Sequence, residues 1–168
     1  MDFDDNTANL ALLILRVVFG GTLALHGLAK LRGLGMTTSW FESVGLRPAK
    51  MHAWLAGGTE TSAGLGLAVG LLTPVASLAF IGVMTTAAWV GHRKNGYSSA
   101  RNGWELVFVL AVVAAVVALL GPGDWSLDNA VGLEWSGLGG FLFAVIGGVA
   151  MSVLTLVLFY RPPAAEGS

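Results

Sequence analysis

Residues 57–70, GGTETSAGLGLAVG, place one carboxylate, Glu60, inside an apolar segment that is rich in glycine. Small residues recur at every fourth position of this stretch: Gly58, Ser62, Gly66 and Gly70. On a helix these four residues share one face, and such a face lets a neighbouring helix approach closely. We therefore predict that they form a helix-packing face. Glu60 lies about 200° around the helix from Gly58 and is expected to meet a different neighbour.

The composition of the whole chain is that of an integral membrane protein. Of its 168 residues, 55% are hydrophobic and 11% are charged, with a mean hydropathy of +0.74. Soluble domains carry about 25% charged residues. The 24 glycines and six tryptophans fit this class, because membrane helices tolerate glycine and tryptophan gathers at the bilayer boundary. The lipid bilayer is thus the first predicted partner, and no nucleic-acid partner is predicted.

The chain contains no cysteine, which excludes disulfides, iron–sulfur clusters and thiolate zinc sites within it. Three histidines, His26, His52 and His92, are spread over separate span ends without a metal-ligand spacing. We predict no metal site. Any redox role would need a non-covalently bound cofactor or a partner.

Five apolar segments approach the length of about 20 residues that a helix needs to cross a bilayer. They are residues 8–29, 51–72, 73–91, 103–120 and 138–160. We predict five transmembrane helices in one domain that covers residues 1–168. Thr73-Pro74 separates the second and third spans, since proline is suited to the first turn of a helix.

The basic residues predict the orientation of the chain, because Lys and Arg near span ends are retained on the cytoplasmic side. Between or after the predicted spans they are Lys30, Arg32, Arg47, Lys50, Arg93, Lys94, Arg101 and Arg161. The opposite segments carry acidic residues instead: Asp2, Asp4, Asp5, Asp124, Asp128 and Glu134. We predict a multi-pass protein of the cell membrane with its N-terminus outside and its C-terminus in the cytoplasm.

A short helix over residues 39–45 is predicted in the first cytoplasmic loop. Ser39 followed by Glu42 is a capping-box pattern that favours a helix start at Ser39. Trp40, Phe41 and Val44 would face the membrane, so that the helix would lie at the interface as an anchor.

Arg16 and Glu60 are ionisable residues within predicted spans, where a charge normally finds a partner or lines a polar cavity. A long Arg side chain could close the difference in depth between them. Two interpretations stay open. The pair could lock two helices together, or it could line a ligand cavity.

His26 and Lys30 lie one turn apart near the inner end of the first span, and Glu105 opens the fourth span at a similar depth. These three residues could meet. A histidine beside a carboxylate can pass protons, and a lysine can bind an anion or a polar headgroup. Alternatively, Lys30 extends to the interface while His26 caps a carbonyl or pairs with Glu105.

Several motifs occur in a fixed order along residues 8–131. They are Leu15-Arg16, His26-Gly27 with Lys30, Trp40-Phe41-Glu42 with Val44-Gly45-Leu46, Gly58, Glu60 and Gly64 before Gly70-Leu71-Leu72-Thr73, Asn102-Gly103 with Glu105, and GPGDWSLD at 121–128. In this ordered set the chain resembles the DoxX family of small membrane proteins. The resemblance implies a four-helix transmembrane bundle, to which the span over residues 138–160 adds a fifth helix.

The resemblance also implies functions. Some DoxX relatives are associated with quinone-linked oxidation of thiosulfate, and others with membrane complexes that respond to thiol and oxidative stress. One hypothesis is therefore a membrane subunit of a redox complex. Its quinone would lie between the first, second and fourth spans, near Arg16, His26 and Lys30, while Glu60 and Glu105 relay protons.

Two other hypotheses stay open. The chain could be a non-catalytic accessory or scaffold subunit, in which the same charged residues hold the bundle and the fifth helix docks a protein partner. A carrier or lipid-handling protein is a third, although five spans with no evident inverted repeat argue against a transporter. The sequence contains no self-contained catalytic motif that would decide among them.

Overall fold

The computed structural model describes residues 4–133 and 135–162, so that Asp2 and Glu134 lie outside the described residues. Its helices are α1 (Asp5–Arg32), α2 (Leu34–Ser43), α3 (Ala49–Val69), α4 (Thr73–Ala87), α5 (Glu105–Leu120), α6 (Leu127–Ala130) and α7 (Gly137–Phe159). A π-helical turn and a 3-10 turn extend α4 to Asn95. The all-helical class is confirmed, and each of the five predicted spans coincides with one long helix.

Among the described residues, three helices are long and apolar enough to cross a membrane. They are Asp5–Arg32, Thr73–Asn95 and Gly137–Phe159. α5 is equally apolar in character but has only 16 residues. The arrangement of four spans in a bundle with a fifth span added remains a prediction. The single domain remains a prediction as well.

Local signals in the sequence set several helix boundaries. Asp4 caps α1, since its carboxylate accepts hydrogen bonds from the backbone N–H of Thr7 at 2.8 Å and from the Thr7 hydroxyl at 3.0 Å. These bonds lower the pKa of Asp4, because they favour the charged carboxylate. α3 ends at Gly70, whose φ of +67° is readily adopted only by glycine, and α4 begins with Pro74 in its first turn.

α4 occupies the centre of the fold. It packs against α3 on one side and against α5 and α7 on the other, while α1 packs mainly on α3. The main hydrophobic core lies along α4 and α5, where Phe80 and Val117 are fully buried. α7 approaches α4 closely, because a Cβ atom on Gly148 would lie only 2.8 Å from the carbonyl oxygen of Leu78.

α1 and α3 approach so closely that only glycine fits at several positions of their contact. A Cβ atom on Gly27 would lie 2.6 Å from the carbonyl oxygen of Gly57, and one on Gly64 would lie 2.9 Å from the Cα atom of Ala24. Gly20 lies equally close to α3, since its Cβ would be 2.5 Å from the carbonyl oxygen of Gly64. This contact is the closest kind of helix packing, in which backbone meets backbone.

The predicted packing face of α3 is displaced from this contact. A Cβ atom on Gly58 would meet nothing within 4 Å, and Ser62 is exposed. Gly66 instead faces Ala76 of α4, and Gly70 ends the helix beside Arg16. The prediction was wrong for Gly58 and Ser62 because α3 carries two adjacent rows of small residues, and spacing alone does not tell which row meets α1.

The short helix α2 also differs from its prediction. It begins at Leu34 after Gly33, so that Ser39 lies in its middle and donates its hydroxyl to the carbonyl oxygen of Gly35 at 3.2 Å. Phe41 does not face the membrane but is buried with Leu46 and Ala53. The capping-box pattern at Ser39 therefore marks no helix start, because the boundary between α1 and α2 already lies at Gly33.

The end of α7 is tied to the connection between α2 and α3. Arg47 donates its backbone N–H to the carbonyl oxygen of Phe159 at 3.0 Å, and Arg161 donates to that of Gly45 at 2.7 Å. The fifth long helix is thus held at its C-terminal end by the part of the chain that leads into α3.

Candidate functional site

A cavity of about 720 Å³ lies between the α1–α3 pair and the group formed by α4, α5 and α7. Apolar side chains make up most of its wall, among them Leu23, Phe41, Phe80, Leu110 and Phe159. Polar residues line it as well: Thr22, His26, Lys30, His52, Thr59, Glu60, Thr86, His92, Ser99, Asn102, Ser152 and Thr155. A predominantly apolar wall that also carries polar groups is the usual form of a small-molecule site.

Lys30 and Glu60 form an ion pair in the wall of this cavity, in which the Lys30 ammonium donates to Glu60 Oε1. Glu60 is only 1% exposed, whereas the Lys30 side chain is 33% exposed. The close contact of α1 with α3 at Gly27 and Gly57 brings these two residues within reach of each other. The two helices run antiparallel, so Lys30 and Glu60 lie about one turn from this contact in opposite directions, and the long Lys30 side chain covers the difference. The sequence predicts both residues as site candidates but does not pair them.

The second carboxylate oxygen, Glu60 Oε2, is buried and accepts no hydrogen bond from any residue that the structure describes. A buried carboxylate is stable only when its charge is paired and its oxygen atoms are hydrogen-bonded. One of the two carboxylate oxygens of Glu60 therefore lacks a donor among the described residues, and a ligand hydroxyl or a water molecule that reached it could supply one.

The three histidines, which the sequence distributes over separate span ends, line the same cavity. His52 is buried against the rings of Phe159 at 4.9 Å and Phe41 at 6.4 Å, and its Nε2 atom has no hydrogen-bond partner within the described residues. His92 Nδ1 lies 2.9 Å from the carbonyl oxygen of Asn102. His52 and His92 were missed as site residues, although the predicted orientation places all three histidines at inner span ends.

No group of three or more His, Cys, Asp or Glu side chains in the described parts of the chain is arranged to hold a metal ion. The candidate site is therefore a cavity with one ion pair and scattered histidines.

Arg16 does not belong to this site, and its predicted pairing with Glu60 was wrong. Its side chain is fully buried, and Nη2 donates to the backbone carbonyl oxygen of Trp125 at 2.6 Å. Arg16 precedes Lys30 by 14 residues on the same helix, which corresponds to about 21 Å along its axis. Glu60 lies near the depth of Gly27, which meets Gly57 and Thr61 of α3, and this level is still about 16 Å from Arg16, more than an Arg side chain can cover.

The loop that receives Arg16 holds the opposite end of the fold together. Asp128 accepts hydrogen bonds from the backbone N–H groups of Leu72 at 2.6 Å and Thr73 at 2.9 Å, and from the Thr73 hydroxyl at 2.7 Å. Asp128 thereby caps α4 from a distant part of the chain, because Leu72 offers no side-chain cap of its own. Asn9 joins α1 to the same loop through two hydrogen bonds with Asp124, of 2.8 and 2.7 Å.

Glu105 does not join His26 and Lys30 either. At the start of α5, its Oε2 atom accepts a hydrogen bond from the backbone N–H of Ser99 at 2.8 Å, and its side chain is not part of the cavity wall. The expected cluster of three residues is thus reduced to His26 and Lys30, both of which line the cavity.

The segment that assigns the chain to a family includes both residues of the ion pair. Residues 11–93, about half of the chain, match the DoxX family model. The chain belongs to the DoxX family. This match and the apolar helices place the protein in a membrane. The matched part covers Lys30 and Glu60 but ends before α5 and α7, so that the DoxX domain and the helices beyond it build the cavity together.

One curated protein is similar to this DoxX protein. It is a Haemophilus influenzae protein described as uncharacterized, which is 27% identical over 133 residues that cover 74% of this chain and 85% of its own length. No solved structure matches the chain. The similarity adds no activity to the family assignment.

Proposed function

We propose that this DoxX protein binds a small apolar ligand of the quinone type in the cavity. It would serve there as a membrane subunit of a redox or oxidative-stress-linked complex. The observation that carries this proposal is the Lys30–Glu60 ion pair in the wall of a mostly apolar cavity of about 720 Å³. Such a cavity falls within the range of roughly 300–1,000 Å³ that is usual for small-molecule sites.

The wall of the cavity suits a flat ring with an apolar tail. The aromatic rings of Trp40, Phe41 and Phe159 line it, and Trp40 meets Phe41 edge to face with ring centroids 5.0 Å apart. Aromatic side chains pack favourably against another ring in stacked or edge-to-face arrangements. The polar head of the ligand would lie near Lys30 and Glu60, with its tail along the apolar wall.

Electron transfer in such a complex would involve the ligand and another subunit, because the chain contains no cysteine that could take part in thiol chemistry. This chain would bind and orient the ligand. Histidines that line the cavity could exchange protons with the ligand or with water.

A second candidate is a non-catalytic accessory or scaffold subunit. Two observations favour it. Arg16, Asp128 and Asn9 act in the fold as structural ties, and α7 exposes large apolar side chains such as Leu138, Ile146 and Val157. In a membrane these side chains would face lipid or the helix of a protein partner.

Ligand titration of the purified protein in lipid nanodiscs tests the proposal. A short-tailed quinone analogue is expected to bind with saturation in isothermal titration calorimetry. Ala56→Phe, which fills part of the cavity, should weaken this binding at least tenfold. Ala130→Phe on the exposed surface of α6 is the matched control and should leave binding unchanged. Absence of saturable binding to the wild-type protein would favour the accessory subunit instead.

A further inference from the structure

We propose that the cavity selects a ligand whose head group donates a hydrogen bond, a phenolic hydroxyl as in a hydroquinone, over a head group that only accepts one. This inference rests on the proposed function, because it presumes that a ligand of the quinone type occupies the cavity. It concerns binding and adds no step of electron transfer.

The open hydrogen-bonding capacity of Glu60 carries the inference. Glu60 Oε1 accepts from Lys30, and Oε2 is a buried atom without a donor among the residues that the structure describes. A carboxylate paired with an ammonium group is ionised, and an ionised carboxylate can only accept hydrogen bonds. A hydroxyl group of the ligand would supply the missing donor, whereas a quinone carbonyl would place a second acceptor there.

Three threonine hydroxyls in the wall are already committed as donors. Thr22 donates to the carbonyl oxygen of Val18 at 2.7 Å, and Thr155 donates to that of Met151 at 2.9 Å. Thr86 likewise bonds to the carbonyl oxygen of Gly82 at 2.9 Å and lies 2.9 Å from the Ser152 hydroxyl. Threonine hydroxyls in helices commonly bond back to their own backbone in this way. These three side chains therefore have no hydroxyl proton left for a quinone carbonyl. The donors that remain in the wall include the Lys30 ammonium, the histidines and the Thr59 hydroxyl.

The shape of the wall favours a phenol over an alkyl alcohol. Phe41 and Phe80 are buried side chains in the wall, and Trp40 and Phe159 add two further rings. A ring that carries the donating hydroxyl can pack against these aromatic side chains, whereas the glycerol head of a lipid offers the same donor without a ring.

The inference is tested by titrating the purified protein in nanodiscs, under anaerobic conditions, with four probes that share one alkyl tail. The probes are a hydroquinone, its quinone, its dimethyl ether and a 1-alkylglycerol. The hydroquinone should bind at least about tenfold more tightly than the other three, since a hydrogen bond to a charged group is worth about that factor. Equal or tighter binding of the quinone or the dimethyl ether would overturn the donor preference, and equal binding of the alkylglycerol would overturn the assignment to a phenol.

The outcomes separate this inference from the proposed function. If all four probes bind with saturation and equal affinity, the cavity binds ligands but does not select a donor. If none binds, the proposed function fails as well. These comparisons use the wild-type protein and do not depend on whether a variant folds.

A double variant then locates the selectivity. Lys30→Gln with Glu60→Gln removes the ion pair without leaving one charge buried alone, and the preference for the hydroquinone should fall below about threefold. Glu105→Gln is the matched control, because this carboxylate lies outside the cavity wall and bonds to Ser99. It should keep the full preference. Retention of that preference by a folded double variant would contradict the role of Glu60.

Discussion

Lys30 and Glu60 are the one pair of opposite charges within 4.0 Å among residues 4–133 and 135–162. The two residues lie on helices that meet through glycine at Gly27 and Gly57. Arg16, which unlike Lys30 lies within the predicted span, bonds to a backbone carbonyl oxygen at the far end of the fold. Depth along α1 thus decides which side chain neutralises Glu60, and Lys30 and Arg16 form different contacts.

A double-mutant cycle tests this pairing. Lys30→Met or Glu60→Gln alone should lower the free energy of unfolding by about 1–3 kcal/mol, because each removes one member of a pair that is partly or fully buried. The double variant should lose less than the sum of the two, as measured by thermal unfolding in detergent. Arg16→Met combined with Glu60→Gln should be additive within about 0.5 kcal/mol. Coupling between Arg16 and Glu60 in place of Lys30 and Glu60 would contradict the structure.

Among the contacts between helices, that of α1 with α3 is the closest, because glycines let the two backbones approach each other. Gly20, Gly27 and Gly64 each leave space for the backbone of the opposite helix. This closeness brings Lys30 within reach of Glu60 and makes α1 and α3 one side of the cavity. The helices α4, α5 and α7 form the other side, and the hydrogen bond between Thr86 and Ser152 joins α4 to α7 there.

Two glycines of α3 provide a matched test of the contact. Gly64→Ala should lower the free energy of unfolding by about 1–3 kcal/mol, because its Cβ would press on the backbone of Ala24. Gly58→Ala should be neutral or raise stability by up to about 1 kcal/mol, since its Cβ meets nothing and alanine favours the helix. Thermal unfolding of both variants in the same detergent measures the difference. If Gly58→Ala lowered the free energy of unfolding more than Gly64→Ala, the result would support the packing face predicted from the sequence.

In the whole molecule, two ends have different roles. At one end, residues 121–128 tie together α1, the α3–α4 turn and α4 through Trp125, Asp124 and Asp128. At the other end, the cavity wall includes His92, Ser99 and Asn102, and the end of α7 is bonded to the connection before α3. The predicted orientation assigns the first end to the outside of the cell and the second to the cytoplasm.

Cysteine labelling tests this orientation in a chain that has no native cysteine. Ala130→Cys and Ala100→Cys place one exposed thiol at either end of α5. In whole cells, a membrane-impermeant maleimide should label the cysteine at 130, and it should label the one at 100 only after permeabilisation, because the basic segments are retained inside. Labelling of position 100 in intact cells would reverse the orientation.

The sequence by itself determined the membrane class, the helices and the family. The length of the apolar segments, the end of α3 at Gly70 and the start of α4 at Pro74 are local signals. Each depends on backbone conformation or on transfer out of water, and none needs a neighbouring helix. The ordered motifs then identified the DoxX family, which the family match supports. The candidate residues His26, Lys30 and Glu60 were also found from the sequence, because ionisable groups in apolar segments are costly and therefore conspicuous.

Only the tertiary structure decided how these pieces meet. α3 carries two rows of small residues, and the rotation of the helix about its axis decides which row packs against α1. A four-residue spacing in the sequence does not reveal this rotation. The same rotation and the relative depth of α1 decide that Lys30, and not Arg16, neutralises Glu60. His52 and His92 joined the site for a similar reason, since residues far apart in the chain share a cavity only after the helices between them have packed.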